Sequence, residues 1–348
     1  MSETVHCFTS FTFSYLPRAM ILARTLREAH PDWQIWAVIP DEPPEGVSNN
    51  LSPEFDRTIY AKSLGFDRFE RWLFKHDIVE ASTAVKGQML RYLLDQGADK
   101  VVYLDPDIAV FSSLSGITEK LDAHSIILTP HQISPNRTEG LIRDNEMTSL
   151  KYGIFNLGFV AVRNDEIGRS FANWWAEQLY LACYDDVPNG LFTDQKWCDL
   201  VPGLFDGVHI ERDPGYNVAS WNVSTRKITI ARNGAILANG SPLKFFHFTK
   251  INTAGDIMIE KNARDNVEVM ELWNWYKRAL TDWAQQIPKN YWHYATFDNG
   301  VKIPRPARLL FRERLDLIEA FENPFATAGN SFFNWLQNEH SALLATPS

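Results

Sequence analysis

Two carboxylates interrupt an apolar run in Val101-Val102-Tyr103-Leu104-Asp105-Pro106-Asp107-Ile108-Ala109-Val110-Phe111, and no other residues in the chain imply chemistry so directly by type and spacing. In extended backbone, residues two apart point the same way, and Pro106 biases Asp105 away from helical geometry, so both side chains face one cavity. Two anions on one face repel, and a hard divalent cation bound through oxygen resolves that at least cost. The competing reading is a turn in which Asp105 caps an amide and Asp107 is solvated; the apolar runs on both sides weigh against it. Other candidates also fall at ends or breaks of apolar segments. His131 follows the run 125–128, and Asn156 and Gly158 interrupt the run 154–162, where glycine in a strand marks close approach of a ligand. Lys86 and Arg91 lie just before the Asp pair as candidate cations or solvated helix residues. Thr193 and Asp194 read first as caps of a helix over 195–200.

The elements that must position these residues alternate. A strand over 5–8, a helix over 17–29 opened by Pro17 and a strand over 34–39 imply a parallel sheet with right-handed crossovers and a nucleotide-type pocket above the first strand. The polar and aromatic loop from Thr9 to Tyr15 makes those two residues candidate nucleotide contacts. Open α/β sheets bind ligands at the carboxyl ends of their strands, where the Asp pair lies. A strand at 58–61 and a helix over 69–81 follow, then a helix capped by Ser82 or Thr83 and running to residue 95 with Val85, Met89, Tyr92 and Leu93 buried. Residues 132–152 lack periodicity, and so long a loop in a compact domain reads as a substrate lid. A Trp-rich helix over 167–182 and strands at 227–231, 235–238 and 243–248 complete a first unit, 1–264. Beyond Asp265, amphipathic helices bearing Trp273, Trp275, Trp283 and Trp292 lead to Arg305, Arg308, Arg312 and Arg314, interleaved with Leu309, Leu310 and Phe311. Residues 265–348 therefore form a helical appendage that packs on the first unit or touches a membrane surface.

With 348 residues, 45% of them hydrophobic, the chain buries a core large enough for an enzyme. A net charge of -9 with no strongly basic stretch excludes a nucleic-acid partner. Three scattered cysteines without metal-ligand spacing point to buried thiols in a reducing compartment. The amino terminus lacks a signal-peptide pattern and no run reaches membrane-spanning length, so a cytoplasmic protein is expected, either free or peripheral on the inner face of the membrane. Twelve tryptophans suit sugar stacking or an aromatic core equally.

Taken together, the strand ending in Asp105-Pro106-Asp107, the Phe155-Asn156-Leu157-Gly158 strand, the Asp194-Gln195 pair and the late Phe246-His247-Phe248 strand resemble the GT-A fold glycosyltransferases, in particular the glycogenin-like family 8 group. The resemblance covers roughly residues 4–255, and it implies an α/β, Rossmann-like, mainly parallel mixed sheet flanked by helices. It further implies that Asp105 and Asp107 bind manganese or magnesium on a nucleotide-sugar diphosphate, with His247 as third ligand. Asn156 would lie near the donor sugar, Asp194 and Gln195 beside the reacting carbon, and Lys86 or Arg91 would be the basic residue of the preceding helix. The family's His-X-X-Gly-X-X-Lys ending is not reproduced, since Lys250 stands at the Gly place, and His131 stands where an acidic residue is common.

The implied activity is transfer from a uridine diphosphate sugar to a glycan or lipid-linked acceptor with retention of configuration. Two carboxylates and an imidazole favour manganese slightly over magnesium, and Lys86 or Lys250 would add positive charge at the diphosphate. Rival readings are an inverting GT-A transferase, a haloacid-dehalogenase-like phosphoryl transferase and a non-catalytic glycan- or nucleotide-binding module. The dehalogenase motif sits near an amino terminus with Thr or Val two residues after its second Asp, where this chain has Ala109.

Overall fold

The computed structural model describes residues 3–48, 51, 53–283 and 290–344. β1 (Val5–Ser10), α1 (Leu16–Ala29), β2 (Gln34–Ile39) and β3 (Arg57–Tyr60) form the expected alternation, with Pro17 in the first turn of α1. α2 (Phe69–Phe74) is shorter than the spacing predicts, because the chain breaks at residues 75–77 and α3 (Ile78–Asp95) starts afresh. Its cap is Asp77, not Ser82 or Thr83. Asp77 accepts from the amides of Val79 and Glu80 while Glu80 accepts from Asp77 N–H, a reciprocal box that satisfies both ends. The Ser82 and Thr83 hydroxyls instead donate back to Ile78 O and Val79 O within the helix.

β4 (Lys100–Leu104), β5 (Ile108–Val110), α4 (Ser115–Lys120) and β6 (Ile126–Pro130) follow. The segment read as an irregular lid is helical in its second half, with α5 (Glu139–Leu141), a π turn (Ile142–Glu146) and α6 (Met147–Tyr152). Next come β7 (Phe155–Arg163), α7 (Glu166–Ala182), a small hairpin of β8 (Asp185–Asp186) and β9 (Leu191–Phe192), α8 (Val201–Leu204) and β10 (Val208–Ile210). The seven-stranded sheet has the order β10-β6-β7-β4-β1-β2-β3. β7 runs antiparallel to both neighbours, and every other pairing in the sheet is parallel. The carboxyl ends of β1, β4 and β6 and the amino end of β7 therefore meet at one rim, as sheet-end ligand sites require.

β11 (Val218–Ala219), β12 (Ile228–Ile230), β13 (Ile236–Ala238), β14 (Ser241–Pro242) and β15 (Phe245–His247) complete the strands. β15 pairs antiparallel with β5, His247 opposite Ile108, in a sheet of order β11-β15-β5. This second sheet brings the late strand against the Asp pair.

α9 (Ala254–Ala263) leads into α10 (Val267–Trp283), and Val269, Leu272, Trp273 and Tyr276 bury with Phe246, Phe248 and Ile21. The side chain of Trp283 lies outside the described residues. α11 (Arg305–Glu313), α12 (Leu315–Ala320) and α13 (Phe332–Glu339) place Phe311, Phe321 and Phe332 around Phe74 and Trp72. Of the carboxy-terminal arginines, read as a candidate membrane contact, Arg308 and Arg312 are turned inward and Arg305 and Arg314 are exposed. Arg308 is buried and donates to Phe74 O, His76 O and Tyr294 O, Arg305 pairs with Asp77, and Arg312 lies 3.4 Å from Glu80. Arg314 pairs with its neighbour Asp316. Arg308 and Arg312 are drawn in because the carbonyls at the α2–α3 break and the Glu80 carboxylate of the capping box need donors. Among the described residues no helix is long and apolar enough to cross a membrane.

Candidate active site

A cavity of about 490 Å³ opens at the strand-end rim. Its floor holds Asp105 and Asp107, immediately after β4, and His247, the last residue of β15. One ligand-type atom from each of the three lies within 4.8 Å of the others. His247 Nε2 is 2.9 Å from Asp107 Oδ1 and 3.7 Å from Asp105 Oδ2. Two ladders fix this meeting. Asp105 N–H donates to Gly158 O at 2.8 Å, extending β4 along β7, and Phe248 N–H donates to Asp107 O at 2.8 Å, extending β15 along β5. Gly158 is required here, since a Cβ would lie 2.6 Å from His247 Cε1. Burial opposes charge on both partners, but each ion outweighs it for the other, so Asp107 is held below and His247 above its ordinary pKa. Two oxygens and an imidazole nitrogen converging in this way are a fitting donor set for manganese or magnesium.

Lys86 projects from α3 into a second, buried half of the site. Its ammonium is 2.8 Å from Asp194 Oδ2 and donates to Asp105 Oδ1 and Leu157 O, both at 3.1 Å. Burial disfavours this cation, but Asp105 and Asp194 outweigh it and hold the ammonium above its ordinary pKa. Burial pushes the Asp194 carboxyl up against the pull of Lys86. Asp194 is thus an ion-pair partner and not a helix cap. Thr193 adopts a left-handed φ of 45°, and the turn Lys196–Leu200 has no side-chain cap. Sequence reasoning missed Tyr103, whose hydroxyl donates to Asp105 Oδ1 at 2.5 Å while Lys86 sits 4.3 Å over its ring. It also missed Arg18, which stacks 4.4 Å over Tyr15 and helps keep Asp107 charged. The first hides in an apolar strand and the second on an ordinary helix; only Tyr103, two residues before Asp105 and so on its face, left a periodicity signal.

The remaining candidates divide. Tyr15, His131, Asn156, Gln195 and Lys250 all line the cavity. Thr9 does not. It is buried within β1, and the alternation of the strand gives its place to Ser10, followed by Thr12. Arg91 is also off the cavity wall. His131 is half-buried, and burial lowers its pKa to about 4, so its ring is neutral. Lys250 is exposed and has a left-handed φ of 51°, the conformation glycine supplies most easily. From the segment read as a lid, Asp144, Asn145, Thr148, Ser149 and Tyr152 line the cavity, and Lys261 of α9 pairs with Asp144. Trp221 packs edge-on against the rings of both His131 and His247, at 5.4 and 5.3 Å.

No family model matches the chain. Among curated proteins it is similar to the uncharacterized protein YfnF of Bacillus subtilis (strain 168), 25% identical over 237 residues, 67% of this chain and 77% of that protein. It is also similar to the uncharacterized YfnD of the same strain, 22% identical over 251 residues, 71% of this chain and 78% of YfnD. Similar solved structures include a galactosyltransferase, LgtC, in complex with donor and acceptor sugar analogues, at 17% identity, TM-score 0.47, 82% of this chain and 98% of that one. The glycosyltransferase GlyE of Streptococcus pneumoniae TIGR4 matches at 14% identity and TM-score 0.42, over 85% of this chain and 67% of that one. Mouse xyloside xylosyltransferase 1 matches at 12% identity and TM-score 0.40, over 71% of this chain and 98% of that one.

Proposed function

We propose that this chain is a metal-dependent glycosyltransferase that moves a sugar from a nucleoside diphosphate donor, a uridine diphosphate sugar in the first instance, to a glycan or lipid-linked saccharide. The observation that carries the reading is the convergence of Asp105, Asp107 and His247 within 4.8 Å at the floor of a cavity of about 490 Å³, a volume in the ordinary range for small-molecule sites. A manganese or magnesium ion held by these three would supply Lewis-acid stabilisation of the charge that develops on a diphosphate leaving group.

The chain's own residues do the rest. Tyr103 and Lys86 engage Asp105 Oδ1 and leave Oδ2 turned toward His247. Lys250, exposed on the cavity lining, would offer a cation to the diphosphate. Asp194 keeps a carboxylate beside the place of the donor sugar, paired with Lys86, and is suited to stabilising positive character on the reacting carbon. Gln195 and Asn156 border the same place. A front-face path with retention of configuration needs no strong base, in keeping with an Asp194 already committed to an ion pair. Every described residue lining the cavity falls within 1–264, so that portion is proposed as the catalytic unit and 265–348 as its support. Buried free thiols at Cys7, Cys183 and Cys198 accord with a cytoplasmic location.

The test is uridine diphosphate release from a panel of uridine diphosphate sugars in the presence of manganese, with anomer analysis of any product. Release should stop on chelation and in an Asp107→Ala chain that still folds. Equal release with chelator and in the variant would overturn the reading.

A further inference from the structure

The hydrogen bonds around His247 have a direction that can be read atom by atom. His131 Nδ1 lies 3.2 Å from Ile154 O, and a carbonyl only accepts, so Nδ1 carries the proton and Nε2 of the neutral ring is an acceptor. Asn156 Nδ2 faces that nitrogen at 3.3 Å and Gln195 Oε1 at 3.4 Å. Gln195 Oε1 in turn accepts from Leu157 N–H at 3.4 Å while its Nε2 donates to Tyr152 O at 3.0 Å. The other end of the Asn156 amide accepts from Gly158 N–H at 3.3 Å, so Oδ1 is the atom that points to His247 Nδ1, 3.2 Å away. An oxygen there obliges Nδ1 of His247 to carry a proton, and the lone pair of the neutral ring is then on Nε2, the atom facing Asp105 and Asp107.

We propose that Asn156 and His131 are positioning residues that lock His247 in the tautomer able to ligate a cation, with His131 as the outer tie of the chain Ile154 O, His131, Asn156, His247. The inference rests on reading Asp105, Asp107 and His247 as a cation site. It gives Asn156 a role besides any contact with sugar. It also explains how a histidine can stand at position 131: both of its ring nitrogens are spent inside the network, and it has no hydrogen bond left for a sugar hydroxyl. Ligand histidines are commonly oriented through their second nitrogen, and loss of such a partner costs roughly 10–100-fold in metal affinity.

The experiment titrates the full chain with Mn²⁺, alone and with uridine diphosphate, and reads free Mn²⁺ by electron paramagnetic resonance, with circular dichroism to establish folding. Asn156→Leu should weaken uptake about tenfold. Asn156→Asp should retain it, because a carboxylate accepts from His247 whichever way it is turned. His131→Phe should weaken uptake severalfold in the native background and leave it unchanged in the Asn156→Asp background. A purely structural role for His131 would give the same loss in both, and that result, or native affinity in Asn156→Leu, would overturn the proposal while leaving the cation site standing. Should Asn156→Leu not fold, the two His131→Phe titrations decide alone. Failure of the native chain to take up Mn²⁺ in either condition would remove the cation site, and the tautomer lock with it.

Discussion

Lys86 is 3% exposed at its side chain and lies between two carboxylates, 3.1 Å from Asp105 and 2.8 Å from Asp194. Removing one partner of a buried ion pair leaves an uncompensated charge, a loss of about 3–5 kcal/mol. Lys86→Met should therefore unfold at markedly lower denaturant, and Lys86→Met with Asp194→Asn should recover much of that stability, both read from urea midpoints. Activity should not return with it, since Asp194 is one of the residues assigned to the reaction. At this scale the Asp105-Pro106-Asp107 spacing was legible, because strand periodicity alone puts both side chains on one face. The roles of Lys86 and Asp194 were not. By their own spacing a helix cation 19 residues before Asp105 and a carboxylate 108 after Lys86 read as a solvated side chain and a helix cap; the family resemblance placed both near the site, and only the fold shows them as an ion pair.

Two glycines set how closely elements approach. A Cβ on Gly87 of α3 would lie 2.7 Å from the Cα of Ala176 in α7, so these helices touch backbone to side-chain-free backbone. Gly87→Ala should push them apart and cost about 1–3 kcal/mol, seen as a lower melting temperature, with Mn²⁺ uptake little changed. Gly158→Ala should do the reverse: its Cβ would meet His247 Cε1 at 2.6 Å, so cation uptake should fall further than stability does. Measuring both properties on both variants separates packing from site geometry. The sequence marks Gly158 as a place of close approach but offers nothing comparable for Gly87, whose partner lies on a helix far along the chain. The start of α3 was misplaced for a similar reason: Ser82 and Thr83 are good caps by type, but Asp77 with Glu80 forms the reciprocal pair and the break after α2 exposes it.

Across the whole molecule, residues 291–344 brace the α2–α3 break, whose far side forms a wall of the cavity through Ile78, Val79, Ser82 and Thr83. Arg308→Met would strip donors from Phe74 O, His76 O and Tyr294 O. Limited proteolysis should then cut early near the carboxy-terminal helices, and nucleotide binding should weaken although no cavity residue is altered. The same junction confers acid sensitivity. His76 is buried, and burial lowers its pKa from 6.5 to about 3. The folded state resists a proton that the unfolded chain accepts, so this contribution is complete above pH 6.5 and is lost as pH falls from there toward about 3. Stability against urea should show a shallower decline over that window in His76→Leu than in the native chain.

By itself the sequence determined the alternating α/β plan, the strand that ends on two carboxylates and the net acidic charge, because these follow from local periodicity, chain direction and composition. Only the tertiary structure decided which distant residues share a site. The antiparallel pairing of β15 with β5 carries His247 to Asp107, β7 running against its neighbours delivers Asn156 and Gly158 to the same rim, and Arg308 and Arg312 turn one face of a basic helix into an internal brace. Such placements depend on pairing partners far apart in the chain, 55 residues for Leu104 and Phe159 and 139 for Ile108 and His247, whose register is fixed by burial and backbone hydrogen bonding and not by any local pattern.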